Sequence, residues 1–105
     1  MKLPAQPTLR DLQRYVHALE AHHGWLEADA ARTCFLMGEE VGEVFGAVRA
    51  WERADDAARP AAAEAVGEEI VDVLNYLLAL ANRLDLDLEA SFRAKNGRNE
   101  TRTWS

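Results

Sequence analysis

The sequence is poor in several features that mark particular classes of protein. It has a single cysteine, Cys34, so no disulfide can form within the chain, and we interpret it as a small apolar side chain. No run of residues is long and apolar enough to span a membrane, and residues 1–4 lack the apolar core of a signal peptide. We therefore expect a cytoplasmic protein.

Positive charge and strand-forming patterns are also scarce. Twelve Lys and Arg stand against 18 Asp and Glu, and the net charge of -6 argues against a general nucleic-acid binder, which presents a basic face. Alternating β-branched runs are missing, whereas helix-forming Ala, Leu, Glu and Arg are abundant. The sequence therefore predicts an all-α fold: one domain over residues 1–105, a bundle of about four helices. Because so short a chain buries only a modest core, we expect oligomerisation to complete the bundle.

Capping residues and apolar periodicity place the four helices. Thr8, with Asp11 three residues later, predicts the start of the first helix, and Gly24 predicts its end. The third helix is expected over about residues 61–84, and a short fourth helix from Asp87 to Gly97. The second is expected over about residues 29–53, with a buried side marked by Phe35, Leu36, Val44, Val48 and Trp51.

Two features of the middle helices predict close packing partners. The third helix is apolar around much of its circumference, which favours burial on several sides in a dimer or tetramer. Gly38, Gly42 and Gly46 recur every four residues, although each glycine costs about 1 kcal/mol in a helix interior. We expect them to permit the close approach of another helix or of a ligand.

Two acidic clusters dominate the chemistry of the chain: Glu39-Glu40-Val41-Gly42-Glu43 and Glu68-Glu69-Ile70-Val71-Asp72. Carboxylates three and four residues apart share a helix face and repel one another. A solvated acidic face is the common fate of such residues, but both clusters border apolar stripes and lack a cationic neighbour in sequence. Because all the ligand atoms would be oxygens, a bound cation would be Mg²⁺, or Mn²⁺ as a substitute.

Antiparallel packing of the second and third helices would bring Glu40 and Glu43 opposite Glu69 and Asp72. A di-iron centre would need two Glu-x-x-His pairs, which the chain lacks. Four acids exceed the charge of one divalent ion, so an anionic ligand such as a polyphosphate is expected to arrive with additional metal. Glu39, Glu43 or another acid outside the metal ligands would then activate a water, and phosphate oxygens would suit the cations near the C-terminus, Lys95, Arg98 and Arg102.

These motifs resemble those of the MazG-like all-α nucleoside triphosphate pyrophosphohydrolases. The resemblance rests on Glu-Glu-x-x-Glu at 39–43 followed by Glu-x-x-Asp at 69–72. The lead-in at residues 7–12 and the later Trp25 are similar to the dCTP pyrophosphatase branch. The C-terminal part is similar to the end of that family at residues 86–90 and then at Lys95, Asn96, Asn99, Arg102 and Trp104.

The resemblance implies hydrolysis of a (d)NTP between its α and β phosphates, giving a nucleoside monophosphate and pyrophosphate in the house-cleaning of the nucleotide pool. It also implies Mg²⁺ and a helical homodimer or homotetramer. This chain has Ala50, followed by Trp51, where that branch has a second tryptophan. The implied metal ligands are Glu40, Glu43, Glu69 and Asp72, and the implied substrate contacts are Trp25, Tyr76, Lys95, Asn99 and Arg102.

Two alternatives stay open at the level of the sequence. One is a related enzyme that acts on a diphosphate or on a phosphoribosyl nucleotide of the histidine pathway. The other is a non-enzymatic helical oligomerisation or regulatory module, in which the acidic clusters bind a structural ion or a partner.

Overall fold

The computed structural model describes residues 1–103, and within them every regular element is an α-helix. The helices are α1 (Leu9–His23), α2 (Ala30–Arg53), α3 (Arg59–Arg83) and α4 (Leu88–Thr101). The predicted all-α fold of four helices in one domain is confirmed. Trp104, which contributed to the family resemblance, lies outside the described residues.

The predicted signals at the start and end of α1 are confirmed. Thr8 forms a capping box, because its Oγ1 accepts from the Asp11 backbone N–H at 3.1 Å while the Asp11 carboxylate accepts from the Thr8 N–H at 2.9 Å. Gly24 ends the helix in the left-handed conformation at φ 73°, where glycine has no Cβ to clash. This tight ending turns the chain directly into the loop over residues 24–29, which leads to α2.

Local capping also sets the other helix starts. Asp29 caps α2 by accepting from the Arg32 N–H at 2.8 Å, and Asp87 caps α4 by accepting from the Ala90 N–H at 3.2 Å. Pro60 stands in the first turn of α3, where its missing N–H costs no helical hydrogen bond.

The predicted end of α4 is wrong, because the helix continues through Gly97 to Thr101. Gly97 does not adopt the positive φ of a helix-ending glycine. A glycine with helical dihedral angles weakens a helix by about 1 kcal/mol but does not terminate it. The fourth helix is therefore longer than its sequence pattern indicated.

The core lies between α1, α3 and the start of α4. Val16, Leu78 and Ala79 are buried there, and partly buried side chains that include Leu74 and Leu88 pack against them. The buried Gln13 joins the same elements: its amide donates to the Asn82 side chain and the Leu86 carbonyl, and accepts from the Leu88 N–H. These bonds hold α1 against the α3–α4 connection.

The α2 helix packs mainly along α3, and this arrangement exposes much of its apolar surface. Phe35, predicted on the buried side, is 76% exposed, and Val48 and Trp51 are each 37% exposed. The prediction was wrong for Phe35 because periodicity identifies an apolar face but not whether a single chain covers it. Apolar residues on the other helices are also exposed, among them Ile70, Val71, Leu77 and Phe92.

The three spaced glycines of α2 show no close contact within the chain. A Cβ built on Gly38, Gly42 or Gly46 would meet nothing within 4 Å. The expected close approach of another helix or ligand is therefore absent among the described residues of this chain. None of the described helices combines the length and hydropathy needed to cross a membrane.

Candidate functional site

The packing of α2 along α3 gathers carboxylates from both acidic clusters. Glu40 and Glu43 stand one turn apart on α2, and Glu69 faces them from α3. One carboxylate oxygen of each lies within 4.8 Å of the others. Asp72 lies outside this group of three, although its negative charge raises the pKa of both Glu40 and Glu69.

The environment of these acids disfavours their charged forms. Burial is the main cause that raises the pKa of Glu40, followed by the charges of Glu43 and Asp72. The pKa of Glu69 is raised first by a carboxyl–carboxyl hydrogen bond with Glu43, which needs a proton on one partner, and then by burial. Without a cation, Glu40 and Glu69 therefore retain protons more readily than isolated glutamates do.

Two oxygens in the cluster are buried and lack a hydrogen-bond partner: Oε2 of Glu40 and Oε2 of Glu69. A buried acceptor without a partner is costly, and natural proteins usually pair such atoms with a donor or an ion. An all-oxygen ligand set of this kind matches the preference of a hard divalent cation such as Mg²⁺. The residues present thus fit a metal ion.

A cavity of about 640 Å³ opens beside the cluster and has Glu40 and Asp72 in its wall. Trp25, Asn75 and Tyr76 line the same cavity, so two of the predicted substrate contacts lie near two of the predicted ligands. Burial, and then the charges of nearby carboxylates led by Glu40, raise the pKa of Tyr76. Its hydroxyl therefore stays protonated at neutral pH and can donate a hydrogen bond.

The Trp25 ring is held from one side by a histidine. His23, in the last turn of α1, stacks on it with a centroid separation of 4.3 Å and an interplanar angle of 18°. Trp25 is 55% exposed as a residue and lines the cavity, so it stays accessible to a ligand. A flat aromatic ring of this kind can stack on a nucleobase.

Trp51, the tryptophan next to Ala50, is engaged elsewhere. The Arg59 guanidinium lies over its ring, 4.6 Å from the centroid, in a cation–π contact at the α2–α3 connection. Within the described part of the chain, Trp51 is not among the residues that line the cavity. Among the described residues, Trp25 is therefore the tryptophan that lines the cavity.

The predicted phosphate-binding residues belong to α4 and to the residue that follows it. Lys95 and Asn99 are on α4, which packs against α1, and Arg102 follows the last turn of α4. Among the described residues, none of these three lines the cavity beside the acids. Asn99 Oδ1 is buried without a hydrogen-bond partner, while the Asn99 amide donates to Asn96 at 3.2 Å.

Sequence reasoning missed an ion pair in the cavity wall. The guanidinium of Arg83 binds both carboxylate oxygens of Glu20, at 2.9 and 2.7 Å, and each side chain is 12% exposed. The hydrogen bond with Glu20 is the main cause that raises the pKa of Arg83. A signal was present, because Glu20 follows Val16 by four residues on the buried face of α1, where a charge needs a partner.

Known proteins are similar in sequence to nearly the whole of this chain. No protein-family model matches the chain. The chain is 34% identical over 101 residues to dCTP pyrophosphatase 1 of Rattus norvegicus and, equally, of Mus musculus, with 92% of this chain and 59% of each relative covered. It is 32% identical over 102 residues to dCTP pyrophosphatase 1 of Bos taurus, covering 93% of this chain and 60% of that relative.

The chain thus spans about three fifths of the length of the curated relatives that it matches. The matched region covers nearly all of this chain and so includes both acidic helices. The resemblance inferred from the acidic motifs is confirmed at the level of sequence similarity: over nearly its whole length, the chain is similar to dCTP pyrophosphatase 1 of three mammals.

Proposed function

We propose that this protein is a Mg²⁺-dependent nucleotide pyrophosphohydrolase, which cleaves (d)NTPs between the α and β phosphates to give a (d)NMP and pyrophosphate. The observation that carries the proposal is the gathering of Glu40, Glu43 and Glu69, two of them with an orphaned buried oxygen, beside a cavity lined by Trp25 and Tyr76. The relatives that the chain matches are named for such an activity on dCTP. The role would be the house-cleaning of nucleotide pools, and a cytoplasmic location stays a prediction.

The acids would have two roles, holding the metal and serving as the general base, and Glu43 is a candidate for both. Glu40, Glu43, Glu69 and Asp72 would hold the ion, with Asp72 joining the three gathered oxygens from the next turn of α3. When bound there, Mg²⁺ would polarise a phosphoryl oxygen and lower the pKa of water. Glu39 or Glu43 would take the proton from the attacking water, since both are exposed and Glu39 is close enough for its charge to act on Glu40.

The cavity provides the nucleoside side of the proposed site. The Trp25 indole would stack on the base, and the protonated hydroxyl of Tyr76 would donate to the nucleoside. Both side chains lie in the wall that also contains Glu40 and Asp72. A nucleotide could therefore place its base and its phosphates in one continuous cavity.

The phosphate-binding residues on α4 suggest a role for a second copy of the chain. Lys95, Asn99 and Arg102 would hold the leaving pyrophosphate, but in this chain they lie outside the lining of the cavity. A homodimer or homotetramer could bring them to a neighbouring site. The exposure of apolar side chains such as Phe35 at 76% and Phe45 at 66% supports such an assembly.

A pyrophosphate-release screen tests the proposal. The protein would be incubated with Mg²⁺ and each common and damaged NTP and dNTP, dCTP included, with the products resolved by chromatography. We expect monophosphate and pyrophosphate in equal amounts from one or a few substrates. Glu40→Ala and Asp72→Ala should lose this turnover while retaining their helical circular dichroism, and Glu64→Ala on the exposed side of α3 should retain both.

The exposed apolar surface favours one alternative, a helical oligomerisation module without catalysis. That alternative expects no hydrolysis with any nucleotide under Mg²⁺ or Mn²⁺. It also expects the acid substitutions to change the assembly state, which sedimentation would measure. Orthophosphate or a nucleoside diphosphate as the product would instead indicate a related enzyme with a different cleavage position.

A further inference from the structure

Arg83 lies in the wall of the proposed nucleotide cavity, where a cation would ordinarily be taken for a phosphate ligand. Its hydrogen bonds argue against that role. The guanidinium has five N–H donors. The Nη1 and Nη2 groups donate to the two oxygens of Glu20 at 2.9 and 2.7 Å, and Nη1 also donates to the Ala79 carbonyl at 3.2 Å.

The remaining two donors reach the loop between α1 and α2. Nη2 donates to the Trp25 carbonyl at 3.0 Å, and Nε donates to the Ala28 carbonyl. All five donors are therefore engaged within the chain, and the charge is balanced by the bidentate Glu20 carboxylate. A phosphate could bind Arg83 only after one of these bonds had broken.

The two loop bonds tie the ends of one short segment to the C-terminal end of α3. Trp25 follows Gly24, the residue that ends α1, and Ala28 precedes the α2 cap Asp29. Trp25 lines the cavity, and its carbonyl accepts a hydrogen bond from Arg83. Because Asp72 and Arg83 stand on the same helix, these bonds tie the backbone at Trp25 to the helix that carries Asp72.

We propose that Arg83, oriented by Glu20, is a positioning residue that fixes the loop over residues 24–29 and so sets where Trp25 meets the base. The inference rests on the proposed nucleotide function for its effect on substrate, but the fixing of the loop is a separate property of the fold. In this role Arg83 neither contacts phosphate nor transfers a proton. Arg32, which lines the same cavity and forms no ion pair among the described residues, is the cation left for an anionic ligand.

The experiment compares Arg83→Met and Arg83→Lys with the control Arg93→Met, which alters an arginine that is 78% exposed on α4. Methionine removes all five donors at similar length, and lysine retains the charge but not the planar fork. With the best nucleotide of the screen, we expect KM to rise about tenfold in both Arg83 variants, with kcat changed less than about threefold. Inorganic tripolyphosphate, which has no base, should inhibit each variant with an unchanged inhibition constant.

Hydrogen exchange measured by mass spectrometry gives a readout that needs no substrate. Amides in residues 24–29 should exchange about tenfold faster in both Arg83 variants, while those in α4 stay within about twofold of wild type. Glu20→Gln keeps the two loop carbonyl bonds and should show smaller changes in both measurements. If Arg83→Met fails to fold, Arg83→Lys and Glu20→Gln are compared with wild type in both measurements.

The outcomes separate the inference from the function on which it rests. An unchanged KM together with unchanged exchange in residues 24–29 would overturn the positioning role. A parallel weakening of nucleotide and tripolyphosphate would also overturn it, because Arg83 would then support or contact the phosphate site. If the wild type hydrolyses no nucleotide, the proposed function fails, and the exchange rates of the loop alone decide whether Arg83 fixes it.

Discussion

Binding of Mg²⁺ to the acidic cluster should appear as a gain in thermal stability that becomes larger as pH rises. In the metal-free protein, Glu40 and Glu69 have raised pKa values, so the folded state binds protons at these groups more tightly than the unfolded state does. Their contribution to stability is fully present below the ordinary value of 4.5 and is lost as pH rises through the raised folded value. With chelator present, these groups should therefore lower the thermal midpoint between about pH 5 and about pH 8.

Magnesium should act most strongly at the alkaline end, since it binds the deprotonated carboxylates. At a Mg²⁺ concentration ten times the dissociation constant, mass action multiplies the folding equilibrium constant about elevenfold. For a domain of this length, that factor raises the thermal midpoint by about 5–10 °C. As pH falls towards the ordinary carboxyl value of 4.5, proton competition at Glu40 and Glu69 should reduce this increase.

Differential scanning fluorimetry at fixed protein concentration measures the effect, with sodium sulfate at equal ionic strength as the salt control. Glu69→Gln should lose most of the Mg²⁺ response and should raise the metal-free midpoint at about pH 8, because it removes a carboxylate crowded by Glu43 and Asp72. Glu64→Gln makes the same chemical change on α3 outside the cluster and should behave as wild type. A response to Mg²⁺ that is equal in Glu69→Gln and wild type would refute the metal assignment.

Three further changes test the packing and the cavity. Leu78→Ala should lower the free energy of unfolding by about 3 kcal/mol in urea denaturation, because Leu78 is 2% exposed in the core, and a loss below about 1 kcal/mol would contradict that packing. Gly97→Ala should raise it by about 1 kcal/mol, since the added Cβ meets nothing within 4 Å in a helical position, whereas destabilisation would indicate an unseen contact. Tyr76→Phe should raise KM because the hydroxyl is lost. The shape of the pH–activity profile between about pH 6 and about pH 9 should not change, because the pKa of Tyr76 lies above its ordinary 10.0. A changed profile would show that the hydroxyl titrates during turnover.

Local chemistry made most of the fold predictable from the sequence. Thr8 with Asp11, Gly24, Asp29 and Asp87 mark helix ends through bonds that span three or four residues, so no knowledge of packing was needed. The end of α4 escaped this reasoning because the dihedral angles of a glycine decide whether it ends a helix, and residue type alone does not reveal them.

The candidate site was predictable in its chemistry but only partly in its composition. The spacing of the acids indicated an oxygen-rich cluster on two helices, and the structure gathers Glu40, Glu43 and Glu69 while leaving Asp72 outside that group. Which carboxylates meet depends on the rotation and offset of α2 along α3, and the many apolar positions on both helices allow more than one register.

By itself the sequence determined four helices, their caps and two acidic faces, because these follow from contacts within a turn or two of helix. Only the tertiary structure decided that Phe35 is exposed and that no described residue of α4 lines the cavity. It also decided that Arg83 meets Glu20 across 63 residues of chain. Such contacts depend on how whole helices pack against one another. The relative free energies of alternative packings are sums over many small apolar contacts, so no short sequence motif determines them.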